Sequence, residues 1–278
     1  MNPLIKDRLM DYLKEDVGFG DLTSNLILED LEAKAIIIVK EDCIIAGLEE
    51  AKSLLELLGC KLKPFFKDGE YVKANSIVAE VRGKAKILLM VERTLLNLLM
   101  RMSGVATVTR RAVDLVKDIN AKVKVACTRK TLPGFRIFDK RAVEIGGGDT
   151  HRLRLDDCIL IKDNHLKLLS LELAIKKAKE KVSFTKKIEV EVSNKDEAVK
   201  AAKLGADIIM VDNFTPEGIK EVVDELKKLN LRDKVILEAS GKINFENIKD
   251  YALSGVDVIS LGFITHSARA IDFSMELS

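Results

Sequence analysis

Six short apolar runs from about residue 120 onward in this 278-residue chain are each followed by residues that can bind or react. VKVAC (123–127) leads into Thr128, Arg129 and Lys130, and CILI (158–161) into Lys162, Asp163, Asn164 and His165. KIEVEV (187–192) carries Glu191 near its end, ADIIMV (206–211) leads to Asp212 and Asn213, KVILEA (234–239) to Ser240 and Gly241, and DVISL (257–261) to Gly262. The chemistry divides by charge along the chain. The early runs deliver the cations Arg129, Lys130 and Lys162, joined by His151 and Arg152 after the triple glycine Gly146-Gly147-Gly148. The middle runs deliver the carboxylates Glu191 and Asp212, and the last two deliver the turns SGKIN (240–244) and LGFIT (261–265). Arginine forks grip carboxylates and phosphates in two-point contacts, and glycine turns let backbone N–H groups close around a phosphate. Two carboxylates without His or Cys clustering suit a hydrated Mg²⁺ or bind sugar hydroxyls directly. Together these groups describe a site for a phosphorylated sugar beside a carboxylated partner. Ion pairing with the lysines is the alternative use of the acids, and ordinary loop chemistry that of the other strand-end residues.

Such residues need a frame that brings strand ends together. From about residue 120 the apolar runs alternate with helical stretches at 168–181 and 195–204, and Thr215-Pro216-Glu217 reads as an N-cap, a first-turn proline and a first-turn acid. Strand–helix units repeated this often predict a parallel sheet wrapped by helices, and favour an α/β barrel over a doubly wound sheet. A barrel puts its reacting groups at the C-terminal ends of its strands, where the polar residues lie. The first hundred residues follow another rhythm: helical at 3–14, strand-like at 35–39 and 43–47, helical at 48–58, turn-punctuated at 66–83, and helical again at about 87–103. That pattern predicts a separate α+β domain.

Charge narrows the partners. Lys and Arg number 46 against 44 Asp and Glu, a net +2 that argues against a protein built to coat nucleic acid or an anionic membrane. Between Arg93 and Arg154, however, 14 basic residues face five acids, and nine of the chain's 13 arginines lie there. This points to a compact, multiply charged anion as ligand, with solvated basic surface as the alternative. The four cysteines, Cys43, Cys60, Cys127 and Cys158, show no metal or disulfide spacing, and no apolar run approaches the roughly 18 residues that span a bilayer. The expected location is the reducing cytoplasm.

Several stretches carry a family resemblance. EDVGFGDLTS (15–24), ERTLLNLLMRMSG (92–104), TRKTLPGFR (128–136), AVEIGGGDTHRLRLDDCILIKDNH (142–165), EVEV (189–192), VDNF (211–214), LEASG (237–241) and GVDVISLGFITHS (255–267) resemble quinolinate phosphoribosyltransferase, nearly end to end and in order. The family usually has Asn where this chain has Thr150, and a second glycine where it has Lys242. The resemblance implies conversion of quinolinate and phosphoribosyl pyrophosphate to nicotinate mononucleotide, pyrophosphate and CO₂, with Mg²⁺, in NAD synthesis. It implies an α/β fold: an N-terminal α+β sandwich over residues 1–105, to which the tail 266–278 returns, and an incomplete α/β barrel over 106–265. It also implies a homodimer or homohexamer with shared active sites, Arg93 reaching into the neighbour's. By matched motif, Arg129, His151 and Arg152 bind the quinolinate carboxylates beside Thr128, and Lys130 and Lys162 meet carboxylate or donor oxygens. Glu191 and Asp212 serve the ribose and Mg²⁺, directly or through water. Ser240, Gly241, Gly262 and His266 hold the 5′-phosphate, where Lys242 adds a charge and removes a glycine's flexibility. The catalytic set is Lys130, Lys162, Glu191 and Asp212. A molybdenum-linked paralogue of the same fold and a non-catalytic barrel that binds phosphorylated metabolites are the other readings; the intact LIKDNH (160–165) disfavours the first.

Overall fold

A computed structural model describes residues 2–277 and divides the chain into two compact units. One takes in the chain up to Arg110, Pro133–Gly147 and the chain from Ser267; the other takes in Arg111–Leu132 and Gly148–His266.

The first unit is built on strands β1 (Glu32–Val39), β2 (Cys43–Ile44), β3 (Lys61–Pro64), β4 (Tyr71–Val72) and β5 (Ile77–Lys84). The chain's final strand, Phe273–Leu277 (β12), lies along β1, giving an antiparallel sheet of order β12-β1-β5-β3; β2 and β4 pair separately. β1 shows why: Ala35, Ile37 and Val39 are buried while Ile36 and Ile38 are half-buried, the two-residue period of a sheet with one face on the core. Helix Pro3–Val17 begins at Asn2, whose side chain accepts the Leu4 N–H, with a proline in its first turn.

The helix expected to end near residue 103 instead runs 33 residues, Ala85–Lys117. Ser103-Gly104 does not break it, because Gly104 meets a packing need: a Cβ there would run into the Arg269 carbonyl and crowd the Ala270 Cα. Close by in sequence, Arg101 forks onto the buried Asp139 at 2.9 and 3.1 Å and donates to the Ala268 carbonyl at 3.2 Å.

The second unit holds β6 (Lys124–Cys127), β7 (Ile159–Ile161), β8 (Ile188–Val192), β9 (Ile208–Asp212), β10 (Ile236–Ser240) and β11 (Val258–Leu261). All pairings are parallel, in the order β6-β11-β10-β9-β8-β7. Among the described residues β6 and β7 are not paired with each other, so the sheet is an α/β barrel left incomplete. Ile188, Val190, Val192, Ile209, Val211, Leu237 and Ala239 point outward and are at most 3% exposed. Helices Lys195–Lys203 and Pro216–Lys228 bury Ala198, Ala201 and Ala202, and Ile219, Val222, Val223 and Leu226, on their apolar stripes. Asn194 and Thr215 cap them, accepting the N–H groups of Glu197 and Gly218. Each of the buried Ile, Val and Leu side chains is worth about 1.5–3 kcal/mol, and each alanine methyl about 0.8 kcal/mol.

Gly104→Ala is expected to destabilise the chain by about 1–3 kcal/mol through overpacking against Arg269. Equilibrium denaturation measures it; wild-type stability in this variant would contradict the close-approach account.

Candidate active site

Because side chains alternate along a strand, the outward apolar residues leave Glu189 and Glu191, Ile208, Met210 and Asp212, and Ile236, Glu238 and Ser240 facing inward. At the C-terminal ends of the strands, Glu191, Met210, Asp212, Glu238 and Ser240 of this face line a cavity of about 420 Å³. Leu160, Glu191, Met210, Glu238 and Ser260 line it from β7 to β11, and Thr128 from the residue after β6, so five strands and the segment after the sixth form one curled wall. Nine of the sequence-derived site residues line this cavity: Thr128, Arg129, Lys130, His151, Arg152, Lys162, Glu191, Asp212 and Ser240.

Opposite charges are already matched within it. Lys162 Nζ donates to Glu191 Oε2 at 2.8 Å, and Glu191 is 14% exposed. Asp212, on the next strand, has its pKa raised by burial and by the charge of Glu191, against the opposing Asn213 amide and the ammoniums of Lys162 and Lys130. Lys130 is fixed through its backbone, whose carbonyl accepts the Thr265 hydroxyl at 2.8 Å and whose N–H donates to Thr128 Oγ1 at 3.1 Å.

Gly241, Lys242, Gly262 and His266 lie in the segments after β10 and β11 and not on the cavity wall. Gly241 is required there: its φ is +90°, and a Cβ would come within 2.9 Å of the Asn213 backbone nitrogen. Lys242 keeps a left-handed backbone at φ +54° despite its side chain. A Cβ on Gly262 would stand 3.2 Å from both the His266 ring and Lys130 Cδ, so these three residues are neighbours. His165 turns back to cap its own short helix, its Nδ1 accepting the Lys162 N–H at 2.9 Å. Arg93 is exposed on helix Ala85–Lys117 in the first unit.

Two residues missing from the sequence-derived set occupy the middle of the barrel. Glu189 and Glu238 are 0% and 2% exposed, and His151 Nε2 stands 3.5 Å from Glu189 Oε2 and 3.1 Å from Glu238 Oε2. Burial lowers the affinity of His151 for a proton, but the two carboxylates outweigh it and push the pKa up to about 10. Glu189 is raised by burial and by Glu238, against the pull of His151. The raised proton affinity belongs to the coupled cluster of ring and carboxylates. Nδ1 accepts the Arg152 N–H at 2.7 Å, which turns the Nε2–H toward the acids. The signal was spacing: Glu189 precedes Glu191 by two residues and Glu238 precedes Ser240 by two, which puts each acid on the inward face.

Comparisons with known proteins fit this geometry. Sequence profiles described as quinolinate phosphoribosyl transferase, N-terminal domain and C-terminal domain, match residues 21–103 and 105–276. The chain belongs to the quinolinate phosphoribosyltransferase family. It is 50% identical over 283 aligned positions to a probable nicotinate-nucleotide pyrophosphorylase [carboxylating] of Methanocaldococcus jannaschii, with 99% of each chain covered. A protein of the same description from Methanothermobacter thermautotrophicus is 45% identical, with 98% of each covered. The solved nicotinate-nucleotide pyrophosphorylase of Francisella tularensis superimposes with a TM-score of 0.91 at 38% identity, over 100% of this chain and 97% of that one.

Asp212 is expected to titrate above the ordinary Asp value of about 3.9, losing its charge earlier on acidification. Lys162→Met, which removes an opposing cation, moves it further up; carboxyl-carbon NMR against pH measures both, and an unshifted Asp212 would contradict the burial argument.

Proposed function

We propose that the chain is a decarboxylating quinolinate phosphoribosyltransferase, joining quinolinate to phosphoribosyl pyrophosphate to give nicotinate mononucleotide, pyrophosphate and CO₂. One observation carries the reading: a single cavity at the strand ends gathers Arg129, Lys130, Arg152 and Lys162 opposite Glu191 and Asp212. Four cations suit a dicarboxylate and a polyphosphate, and two acids suit a ribose whose charge turns positive during reaction.

Arg129 and Arg152, with Lys130 beside them, hold the carboxylates and orient the pyridine nitrogen toward the anomeric carbon. As the bond to pyrophosphate breaks, that carbon becomes oxocarbenium-like, and Glu191 and Asp212 stabilise it across the cavity. Lys130 and Lys162 take up the charge growing on the departing pyrophosphate; Lys162, paired with Glu191, links the two halves of that charge separation. The nitrogen lone pair forms the new bond and leaves the ring cationic. The bond from the ring to the adjacent carboxylate then breaks, its electron pair stays on the ring carbon beside the positive nitrogen, CO₂ departs, and that carbon takes a proton from solvent. Separate contacts to the two carboxylates let one stay held while the other leaves.

Ser240, Gly241, Gly262 and His266, with Lys242, receive the 5′-phosphate in the segments after β10 and β11 in this reading. The oxygen donors Glu191 and Asp212, one already balanced by Lys162, fit Mg²⁺, which binds through one or two carboxylates plus substrate phosphates and keeps its waters. Bound there it would neutralise pyrophosphate charge. Four free cysteines accord with a cytoplasmic location. Homodimers or hexamers with shared sites, in which Arg93 serves the neighbouring subunit, complete the proposal.

Steady-state assay with quinolinate, nicotinate and other pyridine carboxylates tests it: turnover with quinolinate and CO₂ release are expected, and activity with nicotinate but not quinolinate would refute it. Arg129→Ala is expected to lower kcat/KM for quinolinate by about 30-fold or more. Mixing Arg93→Ala subunits with Lys162→Ala subunits should restore part of the activity in hybrids; no recovery would argue against sharing.

A further inference from the structure

Two carboxylates stand in the interior of the barrel, where apolar layers normally pack. Burying an unpaired carboxylate costs several kcal/mol, and neither oxygen of Glu189 nor Oε1 of Glu238 has a hydrogen-bond partner. What the pair does have in common is one imidazole. Glu189 stands on β8 and Glu238 on β10, on either side of β9, and both approach the same nitrogen of His151 from within the barrel.

That ring is fully committed. Nε2 faces the two acids, and Nδ1 accepts the N–H of the next residue, Arg152. The donor spacings of 3.1 and 3.5 Å would also suit a small divalent ion. The Arg152 N–H decides against one: an ion at Nε2 would take its lone pair, forcing the ring hydrogen onto Nδ1, where it would face another donor. The same bond leaves His151 no N–H to offer a ligand, so its service is to hold.

What it holds is a strained turn. His151 has φ +50°, a left-handed conformation that costs energy for a residue with a Cβ. Three bonds keep it there: its N–H to Asp149 Oδ1 at 2.8 Å, the Arg152 N–H to its own Nδ1, and the ring to the acids. Directly after this turn, Arg152 enters the cavity wall, its Nη1 bonded to the Cys158 carbonyl at 3.1 Å. His151, Arg152 and Glu238 also line a second cavity of about 570 Å³ toward the strands' N-terminal ends. The cluster is thus the partition between the two spaces. The charged groups around the ring are Glu189 from β8, Glu238 from β10, and Asp149 and Arg152 from its own segment; Met210 of β9, Ser260 of β11 and Cys158 before β7 carry no charge toward it.

We propose that Glu238 and Glu189 are positioning residues: Glu238 accepts the His151 Nε2–H, Glu189 stands beside it as a second negative charge, and together they fix the turn that presents the Arg152 guanidinium to a substrate carboxylate. The proposal rests on the transferase reading for its substrate, and on the ring geometry for its mechanism. Kinetics and spectroscopy therefore test it separately. Glu238→Leu, which keeps the bulk and removes the acceptor, is expected to raise the KM for quinolinate about tenfold or more while that for phosphoribosyl pyrophosphate stays within about twofold. Glu238→Gln, whose amide oxygen still accepts the Nε2–H, is expected to stay within about threefold of wild type for both. Equal losses for the two substrates, or a Gln variant as impaired as the Leu variant, would overturn it.

Histidine ¹⁵N shifts of the substrate-free wild-type protein give the second test; with three histidines in the chain the signals are few. One ring should keep its Nε2–H and a single protonation state from about pH 6 to 9, where an ordinary histidine changes. A ring that changes state or loses its Nε2–H within that range, or a metal-bound one with stoichiometric metal in the protein, would overturn the grip. Were the wild-type inert toward quinolinate, the transferase reading would fall, and the shifts would still decide how the ring is held.

Discussion

Everything at the strand ends depends on the two-residue alternation of a parallel sheet that curls. One face of each strand must be apolar, because helices cover it, and Val190, Val211 and Ala239 meet that demand without exposure. The other face converges on a narrow interior where every polar group meets another. Charge there cannot be placed singly. Lys162 has Glu191, Asp212 has Asn213 and two nearby ammoniums, and His151 has two glutamates.

This layering separates tasks along the strand. The outermost inward positions carry groups suited to a substrate, and the next layer down carries groups that hold them. Glu191 and Glu189 show the division two residues apart on one strand: the first is partly exposed and salt-bridged across the cavity, the second is buried and turned to a ring. A family assignment made from the outer layer says little about the inner one, although the inner layer sets how rigidly the outer layer is presented.

Much of this was legible in sequence, for identifiable reasons. The six apolar runs had the length and β-branching of buried strands, and the structure places strands at all six. Polar residues after them gathered in one cavity because a barrel brings strand ends together. Arginine density was a poorer guide. Of the nine arginines between positions 93 and 154, Arg129 and Arg152 line the cavity, whereas Arg101 grips Asp139, Arg110 donates to the Gly146 carbonyl, Arg141 meets Glu50, and Arg111 lies 4.1 Å over the Phe245 ring. A guanidinium serves buried acids and carbonyls as well as it serves ligands, and composition cannot separate those uses. The helix beginning at Ala85 ran past its expected end for a related reason: Gly104 reads as a breaker, while its role is set by a carbonyl 165 residues further on at Arg269.

The turn after β10 has a further consequence. Gly241 and Lys242 share the same hand of backbone, at φ +90° and +54°, yet their freedom to change is opposite. At 241 the space beside the backbone is taken by Asn213, so the constraint is steric and admits no side chain. At 242 a long side chain is accommodated, and the constraint is conformational alone, a cost of roughly 1–2 kcal/mol for a residue other than glycine. The turn therefore asks two different things of adjacent positions: 242 admits a side chain at a conformational cost, while 241 admits none.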